Sequence, residues 1–193
     1  MRVLVQSIRI TIVLTILLGL IYPLAMTGLA EVLFPWQSTG SLVTRGGQVV
    51  GVATIGQNFA AAGYFHGRPS AAGNGYDASN SGGSNLGPTN KTLIDAVSKR
   101  LKDEMETDSV KQPGRVPIDL ITTSGSGLDP EISPAAAELQ VARVAKVRGL
   151  SKDDIQRLVQ ENTRGRWLGL LGEPGVNVLK LNLALDNLAP AKK

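Results

Sequence analysis

The sequence predicts an α+β (mixed α/β) domain with a small sheet, preceded by one N-terminal transmembrane helix. Three observations carry this: an uncharged apolar run near the start, two β-branched runs around a glycine pair, and later segments with helix start and stop signals. Residues 10–30 are 21 consecutive residues without a charge, rich in Ile, Leu and Val. At the helical rise they reach roughly 31 Å, the thickness of one hydrocarbon core. A cleaved signal peptide would have a shorter apolar stretch, so the run is read as a retained anchor. Arg2 and Arg9 precede it and Glu31 is the first charge after it. The positive-inside bias therefore places the N-terminus in the cytoplasm and the main domain outside it. Phe34-Pro35-Trp36 falls at headgroup depth.

Thr11, Thr15 and Gly19 are spaced by four and stack on one face of this helix, where small side chains let a partner helix approach. Pro23 withholds a backbone donor from the carbonyl of Gly19 and predicts a kink. The expected division is therefore residues 1–35, a cytoplasmic tip and single span, and residues 36–193, one extracytoplasmic domain.

Residues 41–44 and 48–55 are β-branched runs around Arg45-Gly46-Gly47, a hairpin pattern in which glycine supplies positive φ. Within residues 89–105, Leu93, Val97, Leu101 and Met105 recur every four residues behind an N-cap at Thr89 or Asn90, which predicts an amphipathic helix. Residues 116–122 alternate and read as a strand. Ser133-Pro134 reads as a cap followed by proline at the first helical position, opening a helix that stops at Gly149. Ser151 then opens a second helix, to about Asn162, across a tight corner. Val176, Val178, Leu181, Leu183 and Leu185 suggest a final strand beside the hairpin.

The 193 residues carry 20 basic and 16 acidic side chains, no Cys and one His. Two of the basic residues are Arg2 and Arg9, which leaves a balance too even for a nucleic-acid footprint. Without Cys, and with His66 alone, thiol nucleophiles, disulfides and the common metal sites are excluded. No phosphate-loop or nucleophile-elbow motif occurs. Residues 67–90 hold 6 Gly, 4 Ser, 4 Asn and 2 Pro. That composition fits a linker, but the stretch is enclosed by predicted core and entered through the aromatic Tyr64-Phe65-His66, which favours a partner-binding loop. Its candidate contacts are Tyr64, Phe65, His66, Gly67, Arg68, Ser81, Gly82, Gly83, Ser84 and Asn85. The turn Gly125-Ser126-Gly127 before a helix, with Arg143 and Lys146 downstream, is a candidate phosphate contact.

The chain resembles the KdpC family, the C subunit of the bacterial Kdp potassium-transporting P-type ATPase. The carrying motifs are Tyr22-Pro23, Phe34-Pro35-Trp36-Gln37, Ile55-Gly56-Gln57-Asn58-Phe59, Tyr64-Phe65-His66-Gly67-Arg68-Pro69-Ser70, Ser81-Gly82-Gly83-Ser84-Asn85-Leu86, Ser126-Gly127-Leu128-Asp129 and Leu181-Asn182-Leu183-Ala184-Leu185-Asp186. The resemblance implies a non-catalytic, single-pass subunit of the bacterial inner membrane, assembling with a K+-conducting A subunit, an ATP-hydrolysing B subunit and a small F subunit. It has no cofactor of its own; ATP and K+ are used by the complex. Two roles are implied. One is assembly with capping of the K+ entrance. The other is a catalytic chaperone that raises the ATP affinity of the B subunit through a transient ternary complex with ATP. The charge bias turns residues 36–193 away from cytoplasmic ATP, which favours the first. A secreted solute-binding protein with a cleaved signal is a third reading.

Overall fold

The computed structural model describes residues 1–189. They fall into two compact units, divided between Val52 and Ala53. In the first, α1 (Arg2–Ile16), a π turn (Leu17–Ile21) and α2 (Tyr22–Leu33) run on as one helix, Arg2–Leu33, of 32 residues, long and apolar enough to cross a membrane. None of its residues is buried within the chain. The π turn lies just before Pro23. Having no N–H, Pro23 cannot serve the carbonyl of Gly19, and the ladder widens there so that Tyr22 N–H reaches Leu17 O. After the one-turn helix α3 (Pro35–Ser38), the indole of Trp36 donates to Leu42 O at 3.0 Å. The predicted hairpin forms from β1 (Leu42–Arg45) and β2 (Gln48–Val52), antiparallel, with a register shift between Val43 and Thr44. Gly46 and Gly47 both take positive φ, +58° and +80°, as a two-residue hairpin turn requires.

The second unit holds the remaining helices and a three-stranded antiparallel sheet. Asn90 caps α4 (Lys91–Thr107) by accepting from Thr92 N–H at 2.8 Å, and Val97, Leu101 and Met105 lie against the core. β3 (Glu131–Ile132) leads into α5 (Pro134–Arg148), where Ser133 accepts from Ala136 N–H. Gly149, at φ +69°, ends α5 in the left-handed conformation and turns the chain into α6 (Lys152–Glu161), capped by Ser151. β4 (Thr163–Arg164) and β5 (Gly175–Asn177) follow, then α7 (Val178–Leu188). The sheet order is β3-β5-β4, with Val176 of the central strand opposite Ile132 on one side and Thr163 on the other. Phe65, Leu120, Val144, Ile155, Val176 and Leu181 form its enclosed centre.

Two strand expectations are corrected. Residues 116–122 form no strand; Ile118–Leu120 is a 3-10 turn. Pro117 cannot donate to a ladder, and its carbonyl instead accepts from Leu120 N–H at 3.1 Å. Leu120 and Ile121 are both buried while Ile118 is exposed, which no alternating strand allows. Asp119 is held at the start of α5, accepting from Ser133 N–H and Oγ at 2.7 and 3.1 Å. The predicted strand from Val176 to Leu185 is a strand only through Asn177, and it pairs with β3 and β4, not with the hairpin. Asn177 then accepts from Lys180 N–H and starts a helix. Val178, Leu181, Asn182 and Leu185, with Leu179 beside them, are its buried face, a helical repeat that the alternation of Leu with Lys and Asn disguised.

Candidate partner-docking surface

The segment from Ala62 to His66 has no strand neighbour, yet four side chains from α5 and α7 satisfy its backbone. Asn182 accepts from Phe65 N–H and donates to Phe65 O, both at 2.9 Å. Gln140 does the same for His66, at 2.7 and 3.2 Å. Each amide side chain takes the place of an adjacent strand. Arg143 donates through Nη1 to Ala62 O and Tyr64 O at 2.6 and 2.8 Å, through Nη2 to Gln140 Oε1 at 2.6 Å, and through Nε to Asp108 at 2.7 Å. Arg148 Nε holds Gly63 O at 2.7 Å, and its guanidinium lies 4.5 Å above the Tyr64 ring, whose hydroxyl donates to Asp186.

Of the predicted loop contacts, Phe65 is therefore a core side chain with no accessible surface, and Tyr64 is tied to α5 and α7. The His66 pKa is lowered by burial and then by the Arg143 charge, which keeps the ring neutral. Its Nε2 lies 3.2 Å from Ala61 O, and since a carbonyl only accepts, a hydrogen bond there requires the Nε2–H tautomer. Arg68 pairs with Asp129 at 3.0 Å on the wall of an open cleft that Glu131 and Arg164 also line. Next to it Gly67 passes under Tyr76, whose hydroxyl donates to Arg68 O.

The structure joins two features the sequence kept apart, the glycine-rich loop and the turn at Gly125-Ser126-Gly127. Ser126 O accepts from Ser81 Oγ and Gly82 N–H, each at 2.9 Å. Ser70 Oγ donates to Gly127 O at 2.6 Å while accepting from Tyr76 N–H at 2.7 Å and Ala72 N–H at 3.1 Å. Gly127, at φ +68°, has room for no side chain, because a Cβ would stand 2.6 Å from Ala72 N and Gly82 O; one on Gly83 would stand 3.0 Å from Gly125 O. The outcome is a closely packed ledge that exposes Ser84, Asn85, Gly125 and Ser126.

The candidate phosphate contacts fall into separate networks. Gly127 N–H already donates to Ser124 O at 3.3 Å, and the buried Arg143 serves the Ala62–His66 backbone and Asp108, while Lys146 is exposed on α5. Sequence reasoning missed Gln140, Asn182, Asp108 and Arg148. The available signal was a polar residue at a core-facing helical position, Gln140 between Ala136, Ala137 and Val144. Among the described residues no cluster of three His, Cys, Asp or Glu could hold a metal ion. On the helix Arg2–Leu33, Thr11, Leu14, Thr15, Leu18 and Gly19 line a shallow apolar groove.

The family model described as "KdpC: K+-transporting ATPase, c chain" matches residues 4–187. The "Potassium-transporting ATPase KdpC subunit" of Rhodospirillum rubrum is 55% identical over 190 residues, covering 98% of each chain. The proteins of the same description from Polaromonas naphthalenivorans and Koribacter versatilis are 57% and 53% identical over 179 and 187 residues. They cover 92% and 97% of this chain and 91% and 95% of their own. With nearly the whole length matched, the chain belongs to the KdpC family, the non-catalytic C subunit of the Kdp K+-transporting ATPase.

Proposed function

We infer that the chain acts in assembly, joining the channel-like A subunit to the ATP-hydrolysing B subunit alongside the small F subunit, and that residues 36–193 cap the K+ entrance. The observation that supports this reading is the groove at Thr11, Thr15 and Gly19 on a helix with no buried residue. A Cβ at Gly19 would meet nothing within 4 Å in this chain. The chain's own packing therefore places no demand for glycine there, whereas a closely approaching partner backbone does. The ledge of Ser81–Asn85 and Gly125–Gly127 is the matching surface on the outer domain, with neutral polar groups that suit a wet interface near an ion path. Arg2 and Arg9 put the N-terminus in the cytoplasm and that domain outside. The nucleotide-chaperone alternative has less support, because Arg143 is already engaged by Asp108 and two carbonyls.

Gly19→Leu should lower recovery of the other subunits with the tagged chain in detergent roughly tenfold. Gly28→Leu, about half a turn around the same helix, should leave it unchanged. Equal recovery for both variants would remove the docking face. In this Cys-free chain, Ser84→Cys and Ser126→Cys can be labelled on intact cells with a membrane-impermeant maleimide. Labelling from outside, weaker in the complex than in denatured membranes, is expected. Labelling only after lysis would overturn the orientation, and the ATP reading would then have a route.

A further inference from the structure

Between β4 and β5 the chain makes a narrow turn whose tip is apolar and uncovered. Trp167, Leu168, Leu170 and Leu171 are 64%, 74%, 79% and 58% exposed. Four large hydrophobic side chains at one loop tip differ from scattered surface leucines and mark a contact surface. Most of the turn's backbone donors are paired within it. Trp167 N–H donates to Leu171 O at 2.8 Å, Leu171 N–H and Leu170 N–H return to Trp167 O at 3.0 and 3.1 Å, and Gly169 N–H reaches Arg166 O at 3.0 Å. Leu168 holds φ +52°, a left-handed conformation that disfavours a leucine, and Gly169 follows at +74°. At the neck the charges are paired: Arg166 grips both carboxylate oxygens of Glu173 at 3.0 and 2.7 Å, and Arg164 pairs with Glu131 at 2.7 Å.

We propose that this tip, Trp167–Leu171, dips into the interfacial region of the lipid bilayer and forms a second membrane contact in addition to the helix Arg2–Leu33. Three features select lipid over a protein groove. Acyl chains offer no hydrogen bonds, and the tip brings most of its donors already satisfied. Its side chains are leucines plus one tryptophan, whose indole N–H suits the headgroup boundary. The neck brings no unpaired charge toward low dielectric, because Arg166 is paired with Glu173 and Arg164 with Glu131. Four side chains alone would bind a membrane weakly, but the membrane helix of the same chain keeps the lipid concentration high, so a weak contact suffices. The inference needs only the family's membrane location, and stands apart from the assembly and capping roles.

The test uses the full chain with Trp36→Phe, which leaves Trp167 as its single tryptophan. The protein is reconstituted in phosphatidylcholine–phosphatidylglycerol vesicles with and without brominated acyl chains. Tip insertion predicts blue-shifted Trp167 emission and about twofold or greater quenching by bromine. Leu168→Asn with Leu170→Ser should abolish the quenching while far-UV ellipticity is unchanged, since both side chains are exposed and asparagine tolerates positive φ. Water-like, unquenched emission from a folded chain would overturn the proposal. If the same double variant then also reduced recovery of the other subunits, the tip would be assigned to a protein groove instead.

Discussion

Replacing Arg143 by Met tests whether the aromatic segment is held by a buried clamp. Met keeps most of the apolar stem volume, so the perturbation is the loss of the guanidinium and not a cavity. It removes a 2.7 Å ion pair with Asp108, whose side chain is fully buried, and leaves Ala62 O and Tyr64 O without their donor. Breaking a buried pair from one side costs about 3–5 kcal/mol, because the remaining charge has no solvent to return to. That would remove much of the roughly 5–15 kcal/mol by which domains are stable. Arg143→Lys should fall between, since one ammonium cannot reproduce a fork that serves four acceptors. The assay is urea unfolding of the full chain in detergent, followed by helical ellipticity, with the membrane helix as a constant baseline. Asp108→Asn completes a double-mutant cycle, and the doubly changed chain should be more stable than additivity predicts by about 2 kcal/mol. A loss below about 1 kcal/mol for Arg143→Met, with an additive cycle, would refute the reasoning.

The glycine ledge and one half-buried acid give two further expectations. Gly127→Ala forces a Cβ into Ala72 N and Gly82 O at positive φ. It should cost about 2–4 kcal/mol and raise amide exchange across residues 70–85, whereas Gly82→Ala, which meets nothing within 4 Å, should leave exchange there unchanged. Glu104 is pushed up to about 7 by burial first, then by the Asp108 carboxylate, with Arg143 opposing and Asp103 adding a little. A carboxyl whose folded pKa exceeds its unfolded value of 4.5 contributes stability that is complete below 4.5 and lost as pH rises through about 7. Because Glu104 is only partly buried, the loss should be about 1–2 kcal/mol between acid and mildly alkaline pH. Urea midpoints should fall over that window, and Glu104→Gln should flatten the slope. An unchanged slope in that variant would assign the pH dependence to another group.

The membrane helix, the hairpin, and the helices α4, α5 and α6 were legible because their causes are local. An uncharged run, a Gly46-Gly47 pair, four-residue apolar spacing and caps at Asn90, Ser133 and Ser151 act within a few residues of themselves. The segments misread as strands were decided by partners far away in the chain. Asn182 interrupts an apolar pattern as if facing solvent, yet it is buried because Phe65 supplies both of its hydrogen bonds across 117 positions. Asp119 is likewise held by Ser133.

The candidate surface divides along the same line. By itself the sequence determined that a small-residue face lies on one side of an apolar helix and that a glycine-rich loop follows Tyr64-Phe65-His66. The tertiary structure decided that the loop packs on the Ser124–Gly127 turn, that Phe65 is core and Arg143 a clamp, and that Trp167–Leu171 stands out uncovered. Caps, turns and amphipathic periods are properties of neighbouring residues. Whether a polar side chain is buried or an apolar one left exposed depends on which distant backbone groups need it, and that is fixed only when the chain has closed on itself.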